Sequence, residues 1–101
     1  MIDPKLVTLL TVNELNSFTK AAQKLSLTQP AASQHVRQLE KELGVTIFVR
    51  GEGNLKLTSE GEIVIKYAKR IVSLYQNLQQ SLKDERRHAR KITVGITHTS
   101  E

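Results

Sequence analysis

The chain has 101 residues, no cysteine and a formal net charge of +5, room for one small domain and one long appendage. Without thiols there is neither disulfide nor thiolate chemistry, a usage that suits a reducing, cytoplasmic setting. The opening Met1-Ile2-Asp3-Pro4 has no basic or apolar region of a secretion signal, and no apolar run approaches a membrane span, so no membrane partner is expected.

Charge is unevenly placed. Residues 1–61 carry seven basic and six acidic side chains, whereas residues 62–101 carry eight and four. The excess therefore lies in the tail, and bulk charge alone does not announce a nucleic-acid-binding head.

A first helix is expected after Asp3-Pro4, a cap followed by proline where no helical N–H is lost. Leu6, Leu9, Leu10 and Val12 to Leu15 give it an apolar side, and Asn16 ends it. Ser17 caps a second helix, in which Phe18, Ala21, Ala22 and Leu25 follow i, i+3, i+4, i+7. Ser26-Leu27-Thr28 is too short for anything but a turn. Thr28 caps the third helix, with Pro30 in its first turn.

The third helix buries Ala32, Val36, Leu39 and Leu43, spaced four, three and four. That spacing leaves Gln29, Ser33 and Arg37 as one exposed stripe, with Gln34, Gln38 and Lys41 beside it. An ordinary helical hairpin with a solvated face would serve the same periodicity. A solvated face, however, usually carries Glu and Lys pairs, and residues 26–38 hold one charge, Arg37, among Ser, Thr and Gln. Gln can bond an adenine edge, Arg a guanine edge, and Ser either bases or phosphate. Such a surface is suited to a DNA major groove, which also needs short residues at the start of the helix.

Gly44 closes that helix, and Val45, Ile47 and Val49 then alternate with Thr46 and Phe48. Gly51-Glu52-Gly53-Asn54 is a turn, and Leu55-Lys56-Leu57 returns as a second strand. A hairpin directly after a recognition helix is a wing. Thr58-Ser59 caps the last helix, with Ser59 and Glu62 at capping-box spacing. Val64, Ala68, Ile71, Tyr75, Leu78 and Leu82 repeat four-three-four-three-four, a heptad seam. From Ser59 to Arg87 this helix would be about 43 Å long, more than a core built from residues 1–58 could cover. A second copy of the helix could.

Residues 1 to about 90 resemble the N-terminal part of a LysR-type transcriptional regulator. The matching run is Ser17-Phe18, Ala21-Ala22, Leu25, Thr28-Gln29-Pro30-Ala31, Ser33, Leu39-Glu40, Leu43-Gly44, Phe48, Arg50, and Leu57-Thr58 followed by Gly61. The resemblance implies a mainly α fold. A winged helix-turn-helix of three helices and a two-stranded wing spans 1–58, with the helix-turn-helix at 18–37. A linker and dimerisation helix spans 59–90, and 91–101 opens a truncated effector-binding domain. It further implies binding to an inverted-repeat duplex as a homodimer, with tetramers open to a full-length chain. Any small-molecule effector belongs to the missing C-terminal domain. The implied DNA-binding residues are Thr28, Gln29, Pro30, Ser33, Gln34, Arg37, Arg50 and Lys56. The implied dimer seam is Val64, Ala68, Ile71, Tyr75, Leu78 and Leu82.

One departure from the family stands out. Its wing usually carries a second arginine three residues after the position of Arg50, and this chain has Gly53 there, beside Glu52. A carboxylate facing phosphates is repulsive, which keeps open an alternative reading as a dimerisation or interaction module with weak DNA binding. Lys91 to Thr97 alternates like a strand, the expected opening of the next domain.

No enzyme is expected. His35, His88 and His98 are scattered without metal-ligand spacing, and no phosphate loop or nucleophile elbow appears, so neither metal nor cofactor is expected. His35 is read as facing DNA or solvent.

Overall fold

The computed structural model describes residues 1–95, with side chains described through residue 89. Helices α1 (Pro4–Leu15), α2 (Phe18–Leu25) and α3 (Gln29–Leu43) are followed by strands β1 (Phe48–Arg50) and β2 (Leu55–Leu57) and by helix α4 (Ser59–Gly95). The order is the one the caps and periodicities dictate.

Each helix start uses a side chain that satisfies an otherwise orphaned N–H. The Asp3 carboxylate accepts from Lys5 N at 2.9 Å, Ser17 Oγ from Lys20 N at 3.1 Å, and Thr28 Oγ1 from Ala31 N at 3.2 Å. The Lys5 N–H is also the main reason the Asp3 carboxyl is held below its ordinary pKa. Asn16 and Ser26 end α1 and α2 in the left-handed region, at φ 54° and 58°. Asn tolerates that region through its short polar side chain. Ser26 does so because its N–H reaches the carbonyls of Ala22 and Gln23, closing the tight turn into α3.

The three short helices pack on one another, and α1 also packs on α4. Leu9, Val36, Leu39, Ile47, Ile65 and Ala68 form the central cluster, with Phe18, Phe48, Leu57 and Val64 packed against it. Ala21 and Ala22 are buried where α2 crosses its neighbours, since small residues let helix backbones approach closely.

The wing is a two-stranded antiparallel hairpin with Phe48 opposite Leu57, Val49 opposite Lys56 and Arg50 opposite Leu55. Its alternation differs from the expected one. Ile47 is buried ahead of the strand and Phe48 packs inward, so Val49 is turned out to solvent. Two successive apolar residues can both reach the core because Ile47 precedes the regular pleat, where the period-two rule does not hold.

The α4 cap is Thr58, not the Ser59–Glu62 box. Gly61 N donates to Thr58 Oγ1 at 2.8 Å, and the Thr58 hydroxyl also donates to the Thr46 carbonyl. Gly61 is buried so tightly that a Cβ there would overlap the Ile47 carbonyl. Thr58 thus joins the wing root to the last helix, a task Ser59 could not perform from inside the first turn.

Further differences concern burial. Leu43 is 53 % exposed, because α3 runs past the edge of the small core at its C-terminal end. Ala68 is 2 % exposed and belongs to its own domain's core, and Val64 packs beside it. Neither is left free at the N-terminal end of the expected seam. Along α4, Ile63, Tyr67, Ile71, Leu74, Leu78 and Leu82 are all between 46 and 67 % exposed.

The strand expected over 91–97 is not formed at 91–95, which continue α4 to a length of 37 residues, about 55 Å. A helix closes its hydrogen bonds within itself, whereas a strand needs a neighbour, and among the described residues none pairs with 91–95. Residues 96 and 97 lie outside the described residues. No helix among the described residues is long and apolar enough to cross a membrane.

Candidate nucleic-acid interface

Helix α3 presents its first turn to solvent. Thr28, Gln29, Pro30, Gln34 and Arg37 are exposed and Ser33 is half-buried, while Ala32, Val36 and Leu39 face the core. Pro30 has no amide to donate, and at this position none is needed. Gln29 Nε2 donates to Ser33 Oγ at 2.7 Å, one turn further along the helix.

A groove runs beside this stripe. Gln29, Ser33, Arg37 and Arg50 line it, over a floor that includes Phe18, Val36 and Phe48. It continues past Ser17 and Thr19 at the start of α2 to Gly51, Gly53 and Asn54 at the wing tip, with Gln29 and Arg50 shared by both parts. The recognition stripe and the wing arginine are therefore parts of one continuous surface. Among the described residues neither Arg37 nor Arg50 enters an ion pair; the cations that do so are Lys5, Lys24 and Arg87. Both guanidinium groups are available to an outside anion.

Lys56 is not brought to this groove. It sits opposite Val49, on the face of the hairpin away from Arg50 and Leu55. Its stem lies across Gly51, so close that a Cβ at 51 would come within 2.8 Å of Lys56 Cε. Thr28, Pro30 and Gln34 flank the groove without lining it. Gly53 stands at φ +79° with open space around it, a backbone conformation that favours glycine. Gly51 N donates to the Asn54 carbonyl at 2.7 Å and closes that turn.

Three residues take roles that sequence reasoning missed. Glu40, on the inner side of α3, accepts from Ile47 N at 2.7 Å and from Phe48 N at 3.4 Å. The carboxylate thereby ties the recognition helix to the root of the wing. Phe18 and Phe48 meet edge to face, centroids 5.9 Å apart, and tie the wing to α2 as well. One sequence sign of the Glu40 role is its place four residues after buried Val36, on the inner half of the helix.

His35 was expected to face DNA or solvent. Its Nδ1 instead lies 2.7 Å from Thr8 Oγ1, and Thr8 is buried on α1. His35 stands three residues after Ala32 and four before Leu39, on the core side of the helix, and that spacing would have shown its direction. Among the described residues no group of three or more acidic, His or Cys side chains could hold a metal ion.

Three helices with a cap-and-turn between the second and third, a two-stranded wing, and a polar stripe beside that wing define a winged helix-turn-helix DNA-binding domain. Residues 4–62 match the family described as "Bacterial regulatory helix-turn-helix protein, lysR family", and the chain belongs to that family. It is 37 % identical over 92 residues to the uncharacterized HTH-type transcriptional regulator YxjO of Bacillus subtilis, covering 90 % of this chain and 32 % of that protein. It is 40 % identical over 83 residues to the HTH-type transcriptional regulator HdfR of Escherichia coli, covering 82 % and 30 %. Among solved structures it resembles the BenM DNA-binding domain bound to benA site 1 DNA, at a TM-score of 0.71 and 37 % identity, covering 88 % of this chain and 97 % of that one. The chain spans about a third of the length of the curated relatives it matches. It is a LysR-type helix-turn-helix DNA-binding domain.

Proposed function

We propose that this domain recognises a particular duplex sequence, with α3 in the major groove and the wing against the flanking backbone. Gln29 and Arg37 face the base edges from the exposed side of α3, with Ser33 between them on the same stripe. Thr28, Pro30 and Gln34 flank them and set how closely the helix approaches. Arg50 contacts phosphate or the minor groove, and Lys56 contributes from the outer face of the hairpin. The observation that carries this reading is the single groove shared by Gln29, Ser33, Arg37 and Arg50.

The apolar residues left exposed on α4 support the rest of the reading. Ile71, Leu78 and Leu82 are each about half exposed and Tyr75 is half-buried. A second copy of α4, running antiparallel, would cover them, and a two-fold dimer reads an inverted repeat. Regulation of transcription and any small-molecule effector belong to the longer protein typical of the relatives.

The test starts with a duplex recovered by selection from a random-sequence pool. Gln29→Ala should weaken binding to that duplex by about 1–3 kcal/mol and leave binding to random duplex nearly unchanged. Equal losses on both would show that Gln29 touches only the backbone.

A further inference from the structure

A primary amide offers one acceptor and two N–H donors. One Nε2 hydrogen of Gln29 is spent on Ser33 Oγ at 2.7 Å. No other hydrogen bond among the described residues engages the Gln29 side chain, so Oε1 and the second Nε2 hydrogen remain available. Oε1 and the Nε2 hydrogen syn to it form one amide edge, an acceptor next to a donor, and that edge stays free when Ser33 takes the anti hydrogen. Adenine presents the complement in the major groove, the N6 donor next to the N7 acceptor; guanine presents two acceptors and would set O6 against Oε1.

Without an anchor the last torsion of Gln is broad and roughly two-fold, so the amide could present either group to either position. Ser33 is half-buried on the same helix face and cannot follow such a turn as a long, free side chain would. We propose that Ser33 is a positioning residue which, by holding one Nε2 hydrogen, gives Gln29 its selectivity for adenine, rather than reading a base itself. This inference rests on α3 being the base-reading helix.

The experiment compares base preferences, position by position, for the 101-residue chain selected against a random-sequence duplex pool. Wild type, Gln29→Ala, Ser33→Ala and Ser33→Thr are run in parallel. Gln29→Ala first marks the position that Gln29 reads; if no position changes, the base-reading role of Gln29 fails, independently of Ser33. At the marked position wild type should prefer adenine, Ser33→Ala should lose about three- to ten-fold of that preference, and Ser33→Thr, which keeps the hydroxyl, should retain it. Preferences elsewhere should not move. A Ser33→Ala profile that keeps adenine at the marked position overturns the inference, whether the loss falls on another base or uniformly on affinity. So does a marked position at which wild type prefers guanine.

Discussion

Removing the Glu40 carboxylate should uncouple the wing from the recognition helix at a calculable cost. Ile47 is fully buried, and its N–H is held by Glu40 Oε2 at 2.7 Å; the second bond, to Phe48 N at 3.4 Å, is long enough to add little. A hydrogen bond to a charged acceptor contributes about 1.5–3 kcal/mol net, and leaving a buried donor unmet costs about the same. Glu40→Ala should therefore lower unfolding free energy by about 2–3 kcal/mol, and Glu40→Gln, which keeps an acceptor, by about 1 kcal/mol. Urea titration followed by circular dichroism reads both as shifts in midpoint at unchanged slope. Random-duplex affinity should fall with the alanine variant as the wing loses its fixed direction. A Glu40→Ala protein within about 0.5 kcal/mol of wild type would refute the reasoning, since water would then satisfy the Ile47 N–H and the clamp would hold nothing.

The wing carries two further predictions. Arg50→Ala should weaken specific and random duplex alike, and the slope of log affinity against log salt should shrink by about one unit; unchanged slope and affinity would make Arg50 a bystander. Gly53→Arg should steepen that slope by about one unit while lowering stability by about 1–2 kcal/mol, because a side chain at φ +79° is strained. A gain in stability, or an unmoved slope, would show the wing tip to be shaped or aimed otherwise.

Most of the scaffold was legible because caps and periodicity are local. Asp3-Pro4, Ser17, Thr28-Pro30 and Gly44 bound their helices in the structure as their chemistry requires. What was not legible depends on three-dimensional neighbours. The inward turn of His35, the Glu40 clamp and the Thr58 link to Thr46 each join residues separated by 7 to 27 positions. The loss of Ala68 to its own core has the same origin. Heptad spacing cannot say which half of a seam the domain itself covers, and only the packing of α1 on α4 decides it. At the site, the stripe of Gln29, Ser33 and Arg37 followed from helical spacing. The bond between Gln29 and Ser33, and the exclusion of Lys56 from the groove, needed coordinates. The alternating run from Lys91 carried a strand signal that ignores the need for a pairing partner.

Sedimentation of the chain on its selected duplex tests the central claim most directly. Two chains should bind each duplex, and the free chain should sediment as a dimer at micromolar concentration. Ile71→Glu places a charge mid-seam, where pairing would desolvate it at a cost of several kcal/mol; the variant should be a folded monomer with only weak half-site binding. One wild-type chain per duplex at undiminished affinity, or an Ile71→Glu protein that still binds as a pair, would contradict the account.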